Sequence, residues 1–115
     1  GSEMCIRDRY YMQILNSESF NEKLKNVKGV MMVDFFATWC GPCRMLAPIL
    51  EQVSQETTAE IYKVDIDQSE VLARAYGIMA VPTMIVFVNG KEVERFSGYM
   101  PKTQILAKLD AYKEI

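Results

Sequence analysis

Residues 30–43 read VMMVDFFATWCGPC, eight positions apolar but for one, followed closely by two cysteines with two residues between them. An apolar run of this length, without alternation, is the pattern of a strand buried on both faces in the middle of a sheet. Only Asp34 interrupts residues 30–37. The cysteines fall where such a strand ends and a helix begins, because Leu46, Ile49, Leu50 and Val53 recur at i, i+3, i+4 and i+7 and form one helical stripe past Pro48. A kink is expected at Pro48, since proline deletes a backbone hydrogen bond and crowds the preceding turn.

On the amino-terminal side, residues 11–15 (YMQIL) read as a short strand. Asn16 or Ser17 then caps a helix to about Val27, with Ser19 and Glu22 at capping-box spacing and Gly29 as its stop. On the carboxy-terminal side, residues 61–66 (IYKVDI) form a third strand, and Asp67 with Glu70 caps a helix that ends at Gly77. Residues 83–88 and 92–97 are β-rich runs joined by Asn89-Gly90, the strongest short hairpin signal, so they pair antiparallel. Pro101 suits the first turn of a last helix with Ile105, Leu109 and Tyr112 on one face. The order βαβαβαββα predicts an α/β fold, a mixed sheet with helices on both sides.

The chain has 115 residues, half of them hydrophobic and 24% charged, as expected of one globular domain with a core of its own. Thirteen basic and fifteen acidic residues leave a net charge of −2, which supplies no broad field for nucleic acid or an anionic membrane. Three cysteines are too few for a disulfide framework, and this favours a reducing compartment. No stretch approaches the roughly 18 to 20 apolar residues of a membrane span, and the start GSEMCIRDRYYM lacks the apolar middle of a signal peptide. We expect a cytoplasmic protein. Gly1-Ser2 resembles the remnant of a cleaved tag, and residues 1–9 read as an irregular tail carrying Cys5, which leaves residues 10–115 as the domain.

Two thiols spaced Cys40-Gly41-Pro42-Cys43 on the first turn of a helix can close into a small ring and reopen without moving the rest of a fold. The unpaired N–H groups and the dipole of a helix start favour a thiolate by about 0.3 to 1 kcal/mol, up to about 2. That is enough to lower a thiol's pKa by about one unit from its free value near 8.5. Three other readings compete. A closed zinc site needs four Cys or His ligands, and this chain has no histidine and only one further cysteine. A structural disulfide is disfavoured by the reducing compartment and the small ring. Inert buried thiols fit poorly with a proline at a helix start. A redox CxxC in a βα setting is the reading adopted.

WCGPC after VDFFAT, then LAPIL, KVDID, the VPT triplet, the Asn-Gly hairpin and a late Ser-Gly pair, in that order, resemble the thioredoxin family from about Tyr11 to the end of the chain. Phe36 stands where many members carry tryptophan. The resemblance implies a five-stranded mixed sheet with four helices, and a dithiol-disulfide oxidoreductase that needs no bound cofactor. Its partners would be disulfide-containing client proteins and a thioredoxin reductase, with no nucleic acid or membrane, and it would work as a monomer.

In such a protein Cys40, nearest the helix start and the more exposed, attacks the client, and the shielded Cys43 resolves the mixed disulfide. The Gly-Pro pair between them brings no further cation to stabilise a thiolate, which points to a reductant over an oxidase or isomerase. A member specialised in oxidation or isomerisation is one alternative, and a binding module that docks clients without turnover is another. Cys43 has to lose a proton, and Asp34 is the candidate acceptor: inside an apolar strand its pKa is raised by desolvation. From the residues alone, an Asp34 at a frayed strand end facing water is the lesser alternative. The resemblance favours the buried position, and it makes Lys63 the partner of Asp34, although a strand lysine is more often a surface residue. It also implies a cis bond at Val81-Pro82, where statistics alone would favour trans. The backbone of Val81 would then face an extended substrate strand. Trp39, Gly41, Pro42, Met79, Gly98 and Tyr99 would complete a shallow apolar rim, with Met79 and Tyr99 open to a simpler role in packing. Met31 and Met32 read as core.

Overall fold

Strand β2 (Val30–Phe36) lies in the middle of the sheet, and every residue of it after Val30 is buried, as its unbroken apolar run requires. In this computed structural model, which describes residues 12–113, it pairs in parallel with β3 (Glu60–Asp65) and antiparallel with β4 (Thr83–Val88). Two short or charged strands close the edges, β1 (Gln13–Ile14) beside β3 and β5 (Lys91–Ser97) beside β4, so the sheet order is β1-β3-β2-β4-β5. With helices α1 (Ser17–Asn26), α2 (Gly41–Glu56), α3 (Glu70–Ala75) and α4 (Lys102–Asp110), the described residues follow the expected order of five strands and four helices. Tyr11, the tail with Cys5, and the last two residues lie outside the described residues.

Alternation along β2 divides the core in two. Met31, Val33 and Phe35 face α1 and α3, where Phe20 sets its ring edge-on to Phe87 and Tyr76. Met32 faces α2 and α4, through Leu46, Leu50, Val53, Ile105 and Leu109. Both Met31 and Met32 are core residues, and α2 runs unbroken through Pro48.

Asn16, one of the two residues expected to cap α1, does so, while other details depart from the expected caps. The amide of Ser19 donates to the side chain of Asn16 (2.8 Å), and the amide of Asn16 donates back to Ser19 (2.9 Å), so the capping box is Asn16–Ser19 and Glu22 has no part in it. Asp67 does not cap α3. The helix starts three residues later, with Ser69 as an N-cap that makes no side-chain hydrogen bond, and the Asp67 amide instead donates to Asp65 Oδ1 (2.9 Å). Tyr112 lies past the end of α4, yet it still packs on the second core.

The Asn89-Gly90 turn has φ of 52° and 84°, the left-handed pair that such a hairpin needs. Gly90 also lies so close to α1 that an added Cβ would come within 2.8 Å of the Leu24 carbonyl oxygen. Gly90→Ala is therefore expected to lower stability by about 2 kcal/mol or more. Gly29→Ala, at φ 85° with nothing within 4 Å of its Cβ, should lose only about 1 to 2 kcal/mol. Urea unfolding of both variants measures the difference, and equal losses would mean that the Leu24 contact relaxes freely.

Candidate active site

Cys40 is the N-cap of α2 and Cys43 lies in its first turn, with Pro42 at a position where its missing N–H is not needed. The two sulfurs are bridged, with 5.2 Å between the Cα atoms, and the amide of Cys43 donates to Cys40 Sγ (3.2 Å). A helix start would offer the same amide to a thiolate.

The expectation that Cys40 is the exposed member is not met in this bridged form. Cys40 is 5% exposed and Cys43 4%. The reason is packing: both pack with Phe36, Ala37 and Val81, and Cys40 Sγ lies 3.6 Å from the Val81 carbonyl oxygen. A bridged sulfur has no proton to donate, so this is a contact.

The Val81-Pro82 bond is cis. The loop around it is held by the Thr83 hydroxyl, which donates to the Ala80 carbonyl (2.6 Å), and by the Gly98 amide, which donates to the Pro82 carbonyl (2.8 Å). Val81, Pro82 and Gly98 are thus brought together beside the sulfurs. Next to them Trp39, Ile66, Ile78, Met79, Ala80 and Val81 line an open groove of about 330 Å³. Met79 is 95% exposed and Trp39 65%, so neither is ordinary packing. Tyr99 is exposed just after Gly98 but does not line this groove.

Behind the disulfide lies a second hollow of about 280 Å³, lined by Phe36, Ala37, Thr38, Cys43, Arg44, Ala47 and Lys63. Asp34 lies on the same face of β2 as Phe36, is 1% exposed, and neither of its carboxylate oxygens has a hydrogen-bond partner. Burial pushes its pKa up from 3.8 to about 7, against the opposing charge of Lys63. Lys63 is in register with Asp34 on the neighbouring strand, but its Nζ sits 4.2 Å from the centroid of the Phe36 ring. Among the described residues no group of three or more His, Cys, Asp or Glu converges as a metal site.

The thioredoxin family model matches residues 11–111. The chain belongs to the thioredoxin family. The thioredoxin of Staphylococcus aureus is 42% identical over 95 residues, which cover 81% of this chain and 89% of that protein. A mutant thioredoxin from Halobacterium salinarum superposes with a TM-score of 0.85 at 31% identity, over 93% of this chain and 95% of that one. Chloroplastic thioredoxin z does so with 0.84 at 30%, over 90% and 96%. The chain is accordingly a thioredoxin-type thiol-disulfide oxidoreductase with a redox-active cysteine pair. Membership of the family implies disulfide-containing substrates and, in general, a thioredoxin reductase as partner.

Within this thioredoxin site two contacts escaped the reading of the residues. Trp39 Nε1 donates to Asp67 Oδ2 (2.9 Å), which tethers the exposed indole across 28 positions of sequence. Arg44 Nη1 donates to the Thr38 carbonyl (3.5 Å) at the edge of the second hollow. The signal for the first is an Asp two residues beyond the end of β3, a position that equally suits a helix cap.

Proposed function

We propose that the chain is a general reductant of protein disulfides, with Cys40 as the attacking and Cys43 as the resolving sulfur. The observation that carries this reading is the position of Cys40 as the cap of α2, one turn before Cys43 and within 3.6 Å of the Val81 carbonyl. In the dithiol form the Cys40 thiolate attacks one sulfur of a client cystine. A Cys40–client bond forms, the client S–S bond breaks, and its other sulfur leaves as a thiolate. Cys43 then gives its proton towards Asp34, and its thiolate attacks Cys40 Sγ. The Cys40–Cys43 bond forms as the mixed disulfide breaks, so the two cysteines lose two electrons and the client gains two.

Val81 and Pro82 offer backbone to an extended client segment, Trp39 and Met79 line the groove beside them, and Gly41, Pro42, Gly98 and Tyr99 flank that groove in a rim that reads few side chains. The neutral Gly-Pro pair between the cysteines supports reduction over oxidation. Residues 10–115 act as the working unit, a monomer in the cytoplasm. Among the described residues no helix is long and apolar enough to cross a membrane. The balanced charge of −2 leaves nucleic acid and membranes out of its partners.

Cys43→Ser tests the reading. Client proteins are expected to accumulate on Cys40 as adducts that dithiothreitol releases, seen on non-reducing gels, and the parent couple should titrate near the glutathione poise. Absence of adducts would favour a docking module, and a potential far above the glutathione pool would favour an oxidase.

A further inference from the structure

Asp34, Phe36 and Lys63 share one face of the sheet. Lys63 is the parallel-register neighbour of Asp34, and Phe36 follows two residues along β2. The lysine nevertheless reaches past the carboxyl group that lies level with it. Its Nζ lies 4.2 Å from the Phe36 ring centroid, while both Asp34 oxygens have no hydrogen-bond partner. Phe36, Lys63 and Cys43 all line the hollow behind the disulfide, which is open enough for a lysine to extend outward. A strongly hydrated ammonium on a four-carbon stem does so unless something holds it. An aromatic face at this distance is such a hold.

The other groups facing Asp34 do not replace this cation. Helix α2 brings Cys43 and Arg44 to the hollow that Lys63 lines, and the guanidinium is turned to the Thr38 carbonyl. β4 presents Met84 in register, without charge. On β3, Asp65 accepts from the Asp67 amide through Oδ1.

We propose that Phe36 is a positioning residue of the resolving step, whose ring holds the Lys63 ammonium against the hollow behind Cys43 so that its charge acts on Asp34. The proposal rests on the reading of Asp34 as the acceptor of the Cys43 proton. Without the ring, Lys63 extends into water, its field at Asp34 weakens, and the ionised carboxyl loses the counter-charge that opposes its burial.

The test is titration of the Asp34 carboxyl by NMR in the oxidised protein. In Phe36→Leu the midpoint is expected to rise by about half a pH unit, the scale of an exposed cation–π contact. Lys63→Met should raise it at least as far, the double variant no further than Lys63→Met, and Phe36→Trp, which keeps a ring, should hold the parental midpoint. The pH profile of mixed-disulfide resolution should move with these midpoints. An unmoved midpoint in Phe36→Leu, or an equal rise in the Lys63→Met background, would overturn the role of the ring. A separate variant tests the underlying reading. If Asp34→Asn leaves the resolution profile unchanged, Asp34 is not the acceptor and Phe36 has no part in the reaction, whatever the titration shows.

Discussion

Cys40→Ser is expected to return dithiothreitol-driven insulin precipitation to the rate of dithiothreitol alone, while the protein remains folded. The loss should be complete because the reaction starts with a thiolate, and a serine hydroxyl neither ionises near neutral pH nor forms the mixed disulfide. The fold should tolerate the change for a local reason. Cys40 is the N-cap of α2 and its sulfur accepts the Cys43 amide, and serine is among the best residues for that task. What is lost is the closure of a ring of four residues, about 2 kcal/mol on the chain-entropy account. Comparison with the reduced parent removes even that. Insulin precipitation gives the activity and urea unfolding gives the stability. A Cys40→Ser protein that accelerates precipitation as well as the parent would remove Cys40 from the chemistry.

The parts of the fold that were legible in the sequence are those where one local signal acts without rivals. The apolar run of β2 reads as a strand from its own residues, and Asn89-Gly90 carries its left-handed turn in two adjacent residues, which Gly29 then braces through the Asn89 side chain. CxxC at a strand end has its chemistry in four consecutive residues. The misreadings come where neighbouring residues compete or where distant ones meet. Asn16–Ser19 and Ser19–Glu22 have the same spacing, and the chain chose the earlier cap. Asp67 has the look of a helix cap, but the indole of Trp39 takes its carboxylate from 28 residues away. Lys63 is placed beside Asp34 by the β2–β3 register, yet whether it turns to the carboxyl or to the Phe36 ring depends on packing that no local pattern records. The covering of Cys40 is of the same kind, since Val81 reaches it across 41 positions.

Asp34→Asn is expected to make the oxidised protein more stable than its parent above pH 7, and to remove a pH dependence that the parent carries. The direction follows from proton binding. Asp34 has an ordinary pKa of 3.8 in the unfolded chain and about 7 in the native one, raised by burial. Below pH 3.8 both states hold the proton and this group adds no slope. Between about 4 and 7 the unfolded chain has released it while the native protein keeps it, so stability falls as pH rises, by about 1.4 kcal/mol per unit. Over roughly three units the loss reaches about 4 kcal/mol, and it is constant above pH 7, where both states are ionised. Asparagine has the same shape and never ionises. Its amide still lacks partners in this pocket, which takes back about 1 to 3 kcal/mol at every pH, so the net gain at pH 8 is smaller than the slope it removes. The informative quantity is the difference between variant and parent from urea unfolding at pH 4 to 8, because the other carboxylates, such as the Arg95-bonded Glu92, cancel in it. That difference should climb through the range and level off near pH 7. A flat line would mean that Asp34 is solvated or paired in the native protein. It would then lack the raised affinity for a proton that makes it a suitable acceptor for Cys43, and the cost of keeping a lone carboxyl in the centre of the sheet would have no catalytic counterpart.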